Sequence, residues 1–259
     1  MAHPLPPPIP PETLLLAYRS GIFPMAEARD DPEIMWIEPR MRAFIPLHAF
    51  RCSGSLRKVI RQERFRVTVD AAFDQVIRAC AAPREDNDGC WISHRIEASY
   101  LALHRAGHAH SVECWRGDVL VGGLYGVTFD RVFCGESMFS RADNASKVAL
   151  AWLVALMRQA GYRVLDCQFM TRHLGSMGAV EVPQTRYLEL VARAEGPPAM
   201  SLPQAYASVL SAASAVGDGL GTGAGLAAGA GAPDARPVGV ATGASSPGKL
   251  IAQSFTQTS

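Results

Sequence analysis

The chain has 259 residues, with 25 lysines and arginines against 24 aspartates and glutamates, and a formal net charge of +1. This length suffices for one large domain or two small ones with a buried core, and the near-neutral charge excludes a strong overall attraction to polyanions or membranes. The longest apolar run, residues 148–157, is too short for a membrane span of about 20 residues. The proline-rich start lacks the basic and apolar regions of a signal peptide, so we expect a cytoplasmic protein.

The six cysteines lie 10 to 33 residues apart and include no Cys-x-x-Cys pair. Zinc ribbons and thiol redox motifs require such pairs, so the sequence predicts reduced thiols in a cytoplasmic protein. His108, His110 and Cys114 resemble a partial metal-binding set. Because no fourth ligand has a suitable spacing, the start of a hairpin strand is favoured there and no metal is expected.

Composition divides the chain into the zones 1–44, 45–195 and 196–259. The last zone alternates glycine and alanine with serine, threonine and proline, and its charged residues are Asp218, Asp234, Arg236 and Lys249. Such a stretch buries too little apolar surface to offset the entropy lost on ordering. We therefore predict a disordered C-terminal tail from residue 196 onward.

Hydrophobic periodicity predicts an α+β domain that contains both helices and strands. Asp70 is predicted to cap one helix, and residues 116–118 to join two strands as a hairpin. The long helix is expected to connect neighbouring parallel strands. The predicted helices cover residues 11–20, 55–62, 71–80, 96–106 and 144–159, and the predicted strands cover residues 65–69, 109–115, 119–127, 131–134 and 164–169.

Two polar residues stand out in the last predicted strand, Leu165-Asp166-Cys167-Gln168-Phe169. Because side chains alternate between the faces of a strand, Asp166 and Gln168 are predicted to share one face. A carboxylate and an amide in an apolar strand are costly to bury without partners. Taken alone, an Asp-x-Gln pair is more often a structural hydrogen-bond pair than a catalytic one, so both interpretations stay open.

Glu136 is a charged residue in the otherwise apolar segment 134–140, which is predicted to be a loop before the long helix. Asp143, Asn144 or Ser146 can cap that helix, and its N-terminus would favour an anionic or polar ligand group. An ordinary loop with a solvated glutamate is the alternative.

A local excess of positive charge occurs in residues 51–66, where Glu63 is the one acidic residue. Such a segment could bind a phosphate backbone, although a basic helix is usually only a solvated face. The basic residues are Arg51, Arg57, Lys58, Arg61, Arg64 and Arg66.

A set of motifs in the same order along residues 14–190 resembles the leucyl/phenylalanyl-tRNA–protein transferase family. The longest motif covers residues 133–141 (FCGESMFSR) and precedes the segment 144–147 (NASK). An ordered set is more specific than any one motif, so it overrides the structural interpretations above. The other matching segments are 18–24 (YRSGIFP), Trp36 with Pro39 and Arg42, Trp91 with Ile92, 107–113 (GHAHSVE), 121–126 (VGGLYG), 165–168 (LDCQ) and 176–183 (SMGAVEVP).

The resemblance implies a small N-terminal domain, residues 1–44, packed on an acetyltransferase-like (GNAT) domain, residues 45–195. It implies transfer of Leu or Phe, and less readily Met, from aminoacyl-tRNA to the N-terminal α-amine of proteins that start with Lys or Arg. The product would be a bacterial N-degron for proteolysis. It further implies a monomer that needs no cofactor, metal or membrane.

The resemblance also assigns roles to individual residues. Asp166 and Gln168 would be catalytic, orienting the amine and relaying its proton, and Glu136 would face the cationic acceptor or the aminoacyl end. The remaining assignments are substrate binding by Trp36, Trp91, Leu124, Phe133 and Met138, and tRNA binding by Arg57, Lys58, Arg61 and Lys147.

Three departures from the family pattern leave two alternatives open. We expect the family's usual leader before the first helix to be lacking, Met25 stands where a tryptophan is common, and Gln184 stands where an arginine is frequent. The first two suggest a catalytically inactive protein that binds tRNA or degrons. A coenzyme A-dependent N-acetyltransferase is the other alternative, but residues 141–146 contain no glycine where such enzymes bind pyrophosphate.

Overall fold

The computed structural model describes residues 6–83, 90–218 and 246–256. A short 3-10 turn covers Leu47–Ala49, and the elements together form a mixed α+β fold, as predicted. The helices are α1 (Pro11–Arg19), α2 (Gly54–Arg61), α3 (Phe73–Ala81), α4 (His94–Arg105), α5 (Ala145–Ala160), α6 (Arg172–Ser176), α7 (Gln184–Arg193), α8 (Leu202–Asp218) and α9 (Pro247–Ser254). The strands are β1 (Phe23–Met25), β2 (Met35–Ile37), β3 (Met41–Ile45), β4 (Arg66–Val69), β5 (Ala109–Arg116), β6 (Val119–Phe129), β7 (Val132–Ser140), β8 (Val164–Gln168) and β9 (Val180–Pro183).

Strands β3 to β9 form one mixed sheet in the order β4-β5-β6-β7-β8-β3-β9, while β1 and β2 form a separate antiparallel pair. Within the large sheet, β7 and β8 are the parallel neighbours, and the other neighbouring pairs are antiparallel. The predicted hairpin is confirmed by β5 and β6. The predicted crossover is confirmed too, because α5 connects β7 to β8.

Helices cover both faces of the large sheet and bury a separate apolar core on each. The first core lies under α5, α2, α8 and α9, and the second lies under α1, α3, α4 and α7. Neighbouring residues of one strand belong to different cores because their side chains point to opposite faces. Leu124 of β6 packs in the first core and Tyr125 in the second.

The predicted disorder from residue 196 is wrong for the residues described beyond that point. Helix α8 buries apolar residues three and four positions apart, including Leu202, Ala205 and Val209, and α9 buries Ile251. That spacing places them on one helical face, which packs against the first core. The tail prediction for residues 219–245 and 257–259 lies outside the described residues.

Three further expectations differ from the structure. Residues 134–140 belong to strand β7 rather than to a loop. Asp70 does not cap α3, which begins at Phe73; its carboxylate instead contacts the His110 imidazole and accepts the Ser111 backbone N–H. The proposed boundary between residues 44 and 45 falls inside β3, which pairs with β8 and β9.

No helix in residues 6–83, 90–218 and 246–256 is both long enough and apolar enough to span a membrane. Asn144 occupies the N-cap position of α5, which is one of the predicted caps, but its side chain makes no hydrogen bond to the helix.

Candidate active site

The parallel strands β7 and β8 separate at the centre of the sheet. They pair from Val132 with Val164 to Cys134 with Asp166, and then diverge although both continue. Each strand has a β-bulge at the point where the two strands separate. In β7 the unpaired residue is Glu136, which has no partner in β6, and in β8 it is Cys167, which has no partner in β3. Such bulges bend a strand locally, so the two bulges account for the gap.

A cavity of about 480 Å³ occupies this gap. Its lining residues come from both apolar cores, so the cavity passes through the sheet. The cavity has two parts, one on each side of the sheet. The apolar part on the side of α5 is called the α5 lobe, and the part on the opposite side is called the Tyr125 lobe. The α5 lobe is lined by Leu124, Met138, Leu150, Leu153, Leu165 and Leu174, and the Tyr125 lobe by Cys80, Ala82, Cys90, Trp91 and Tyr125.

Glu136 lies on the cavity wall and is almost fully buried. Its carboxylate accepts hydrogen bonds from the Tyr100 hydroxyl at 3.0 Å and from Gln168 Nε2 at 2.9 Å. The Tyr100 hydroxyl also contacts the Tyr18 hydroxyl at 2.5 Å. Burial raises the pKa of Glu136 to about 7, although these hydrogen bonds act in the opposite direction. The carboxyl can therefore gain or lose a proton near neutral pH.

Gln168 lines the cavity at the end of β8. Its backbone has a φ of 62°, in the left-handed region that non-glycine residues rarely adopt. Its amide nitrogen donates a hydrogen bond to Glu136. The Oε1 atom can accept a hydrogen bond from a ligand.

Asp166 is fully buried and does not line the cavity. Its carboxylate accepts Arg42 Nε at 2.9 Å, Arg42 Nη2 at 2.5 Å and the Tyr187 hydroxyl at 3.1 Å. It also accepts the Gln168 backbone N–H at 2.9 Å. The Arg42 guanidinium is fully buried and stacks over the rings of Phe23 and Tyr187. Gln168 therefore lines the cavity, whereas Asp166 lies outside it and contacts the Gln168 backbone.

The residues assigned to substrate binding are divided between the cavity and other places. Trp91, Leu124 and Met138 line the cavity, whereas Phe133 and Trp36 do not. Phe133 is fully buried, and its ring packs directly against Gly126, where a larger residue would clash with it. Trp36 lies opposite Pro24 in the small sheet and is 44% exposed.

The residues assigned to tRNA binding lie in two helices. Arg57, Lys58 and Arg61 occupy the outer side of α2, whose opposite side is buried against the first core. They do not line the cavity. Lys147 lies in the first turn of α5, and its charge contributes to lowering the pKa of His173, which lines the cavity. Lys147 is thus the assigned basic residue with an electrostatic link to the cavity wall.

Sequence reasoning gave no role to several residues of the site. Tyr100 and Tyr18 follow helical apolar spacing and so look like ordinary core residues, and His173 lies in a segment without periodicity. Arg42 was noted only within a motif. A cation close to a carboxylate 124 positions away leaves no local signal.

In residues 6–83, 90–218 and 246–256, no three His, Cys, Asp or Glu side chains are grouped so that they could hold a metal ion.

Known sequences give close matches over nearly the whole chain. The family described as "Leucyl/phenylalanyl-tRNA protein transferase" matches residues 44–192, and its N-terminal domain matches residues 8–40. A curated leucyl/phenylalanyl-tRNA–protein transferase of Novosphingobium aromaticivorans is 56% identical over 97% of each chain. One of Rhizorhabdus wittichii is 55% identical over 71% of this chain and 74% of its own.

Among solved structures the similarity is weak. The structure titled L-PGS from Bacillus licheniformis has a TM-score of 0.38 and 13% identity over 60% of this chain and 65% of that one, too little to define the fold. The identity and coverage of the sequence matches are decisive instead. The chain belongs to the leucyl/phenylalanyl-tRNA–protein transferase family, enzymes that transfer an aminoacyl group from tRNA to proteins.

Proposed function

We propose that the cavity binds the aminoacyl end of Leu-tRNA or Phe-tRNA, and less readily Met-tRNA. The aminoacyl group passes to the α-amine of a protein that begins with Lys or Arg, and the product is an N-degron for bacterial proteolysis. The observation that carries this proposal is an apolar lobe that opens directly onto the polar pair Gln168 and Glu136.

The α5 lobe supports the choice of amino acid. Leucine and methionine side chains line it, and Leu150 and Leu153 of α5 are almost fully buried at its wall. An apolar pocket of this kind discriminates by only about 1–3 kcal/mol for each methylene group. Leucine, phenylalanine and methionine are therefore accepted together, whereas charged side chains would be excluded by desolvation.

The reaction forms a C–N bond and breaks the ester C–O bond; the amine loses one proton and the leaving oxygen gains one. An α-amine has a pKa of about 7.7–8, so roughly a tenth of it is neutral at pH 7. Gln168 Oε1 accepts a hydrogen bond from this amine and orients its lone pair toward the ester carbon. Glu136 holds the amide and places a titratable carboxylate beside the incoming cation, with a pKa of about 7 that suits proton transfer.

Asp166 acts indirectly in this proposal. It accepts the Gln168 backbone N–H and is itself held by Arg42, so it fixes the position of Gln168 without touching the substrate. Gln168 is the catalytic residue, and Asp166 is a positioning residue.

The donor is held by the acceptor end of the tRNA rather than by its anticodon. Lys147 acts electrostatically on His173, a residue of the cavity wall, and Arg57, Lys58 and Arg61 place further positive charge on α2. Binding through phosphates is salt-dependent. The parallel pair β7 and β8, which diverges around the cavity, supports a GNAT-like domain. The separate match to residues 8–40 supports a small N-terminal domain. The enzyme is proposed to act as a cytoplasmic monomer without a cofactor.

The direct test incubates the full chain with charged Phe-tRNA and a peptide that begins with Arg, with acetyl-coenzyme A offered in parallel. We expect Phe to be attached to the peptide and no acetylation. Binding of tRNA without transfer would support the inactive binding protein, and acetylation would support the acetyltransferase. Either result would overturn the proposal.

A second test addresses the catalytic residue. Gln168→Ala removes the atom that orients the amine, so kcat/KM for transfer should fall about 100-fold. Gln159→Ala is the matched control, because Gln159 is an exposed glutamine of α5 that bonds Ser208 far from the chemistry. Equal activity of the two variants would contradict the assignment of Gln168.

A further inference from the structure

Helix α2 ends with a residue that the local geometry disfavours. The Glu63 N–H donates to the Ile60 carbonyl at 3.0 Å, and the Arg64 N–H donates to the Val59 carbonyl at 3.4 Å. These are the two hydrogen bonds of a Schellman motif, in which glycine usually occupies the left-handed position. Glu63 occupies it here, with a φ of 48°. A glutamate in place of glycine points to a requirement for its side chain.

The side chain of Glu63 contacts helix α9. Its Oε1 atom accepts the backbone N–H of Gly248, in the first turn of α9, at 2.8 Å. The first N–H groups of a helix have no partner within the helix, and the N-cap residue Ser246 makes no capping hydrogen bond with its side chain. Glu63 therefore caps α9 from the end of another helix, where the α9 dipole favours its negative charge.

Helices α2 and α9 approach each other closely at this point. A Cβ atom added to Gly248 would lie 2.4 Å from the Ile60 carbonyl oxygen, so a larger residue fits only if the helices shift. The next turn of α9 buries Ile251 and Ala252 in the first core, which also contains the inner side of α2. The position of α2 therefore depends on that of α9.

The other end of α9 is fixed to the body of the protein. Arg158 of α5 donates from Nη1 to the Ser254 carbonyl at 3.3 Å and from Nε to the Leu47 carbonyl at 2.8 Å. The Arg158 guanidinium also lies over the Phe255 ring, which packs on Phe50. Because α9 is attached to α5 and to the 3-10 turn, it can serve as a support for α2.

We propose that Glu63 is a positioning residue for donor binding, because its bond to α9 fixes the helix that presents Arg57, Lys58 and Arg61 to the phosphates of aminoacyl-tRNA. This inference rests on the proposed function. Helix α2 has only eight residues, and isolated helices of this length are marginal. Arg57 and Arg61 lie four positions apart, where like charges repel. A support that holds the three cations in one arrangement reduces the conformational freedom lost when RNA binds.

Simple charge repulsion makes the opposite prediction for Glu63. It is the one acidic residue among six basic residues in the segment 51–66. If its charge only repelled phosphates, removing it would strengthen tRNA binding. If Glu63 holds α2 in place, removing its side chain weakens tRNA binding even though a negative charge is lost. The sign of the change therefore distinguishes the two explanations.

The test compares two variants of Glu63 in transfer from charged Phe-tRNA by the full chain. Glu63→Gly suits the left-handed backbone but cannot bond to Gly248, so KM for Phe-tRNA should rise about fivefold with kcat unchanged. Urea denaturation should show no loss of stability, a combination that a merely structural role would not produce. Glu63→Gln keeps an oxygen for the Gly248 N–H, so its KM should stay within about twofold of the unmodified enzyme.

Gly248 allows the same contact to be broken from the other side. Gly248→Ala pushes α9 away from the Ile60 carbonyl, so KM for Phe-tRNA should rise as it does in Glu63→Gly. The double variant should rise little further, because both changes break one contact. Gly54→Ala is the matched control. Gly54 begins α2, a Cβ atom there meets nothing within 4 Å, and KM should not change.

The possible failures can be told apart. An unchanged or lower KM for Glu63→Gly would overturn the inference, and so would equal KM values for the two Glu63 variants. Lys58→Gln tests the premise that α2 binds RNA, and an unchanged KM would overturn the inference while transfer persists. No Phe transfer by the unmodified enzyme would overturn the proposed function and the inference together. If Gly248→Ala does not fold, the two Glu63 variants decide.

Discussion

Two buried carboxylates flank the gap between β7 and β8, and their surroundings differ. Behind the gap, Asp166 accepts hydrogen bonds from two Arg42 nitrogens, the Tyr187 hydroxyl and a backbone N–H. At the cavity wall, Glu136 accepts hydrogen bonds from uncharged donors, among them the Tyr100 hydroxyl and the Gln168 amide. A buried cation pairs with Asp166, whereas the donors to Glu136 are neutral.

This difference assigns different tasks to two residues of the same chemical type. A buried ion pair with satisfied hydrogen bonds keeps its charge and fixes the chain around it. A buried carboxylate with neutral partners has a raised pKa and remains able to bind a cation or exchange a proton. Burial alone therefore does not distinguish a structural carboxylate from a functional one; the charge of its partners does.

The largest expected effect tests the Asp166 side. Arg42→Met leaves the Asp166 carboxylate buried without a cation, so the free energy of unfolding should fall by about 3–5 kcal/mol. Urea denaturation monitored by circular dichroism measures it. A loss below about 1 kcal/mol would show that the buried ion pair does not stabilise the fold, and the comparison of the two carboxylates would fail.

The next effect tests Glu136 through pH. Its pKa is about 7 in the folded protein against 4.5 as the ordinary value, so the folded state binds more protons between these values. The free energy of unfolding should therefore fall as pH rises from 4.5 to 7, by about 3 kcal/mol from this group. Glu136→Gln should remove that part of the decline, as measured by urea denaturation at pH 4.5 and 7.5. Equal declines in both proteins would show that Glu136 is not responsible.

A smaller effect is expected from a single donor to Asp166. Tyr187→Phe removes one hydrogen bond to Asp166 and leaves both Arg42 contacts. We expect the free energy of unfolding to fall by about 1–2 kcal/mol, because a buried acceptor loses one donor. Urea denaturation measures the change, and a loss as large as that of Arg42→Met would show that the buried cation is not the main partner of Asp166.

The smallest effect concerns an arginine at the surface. Arg19 pairs with Asp130 at 3.2 Å, but its side chain is 44% exposed. Arg19→Ala should lower the free energy of unfolding by less than about 1 kcal/mol, because water screens the pair. Thermal denaturation of the Arg19→Ala and Arg42→Met variants, measured side by side, compares the two losses of stability. Similar losses for both arginines would argue against the special role of burial at Asp166.

The sequence allows the elements around the site to be predicted, because they depend on local patterns. The apolar spacing of α5 and the turn at residues 116–118 identified the long helix and the hairpin. The segment 134–140 was misassigned because the extra residue Glu136 breaks the alternation that a strand normally shows. A bulge is defined by the partner strand, which a single sequence does not contain.

The chemistry of Asp166 depends on a contact across the fold. Strand alternation predicts Asp166 and Gln168 on one face; in the structure Gln168 lines the cavity and Asp166 does not, and the Asp166 carboxylate accepts the Gln168 backbone N–H. The sequence could not indicate that Arg42 forms an ion pair with the Asp166 carboxylate, since 124 residues separate the two. Nor could it indicate the positive φ of Gln168 at the rim of the cavity.

The final helices have a practical consequence for the protein in solution. Tyr206 of α8 contacts Trp152 and donates its hydroxyl to the Val67 carbonyl, and Phe255 packs on Phe50. A version of the chain shortened before α8 would expose this apolar surface of the first core. Large exposed apolar patches promote self-association. Helices α8 and α9 thus help to keep the enzyme from self-associating, and their removal would favour aggregation even with the cavity residues unchanged.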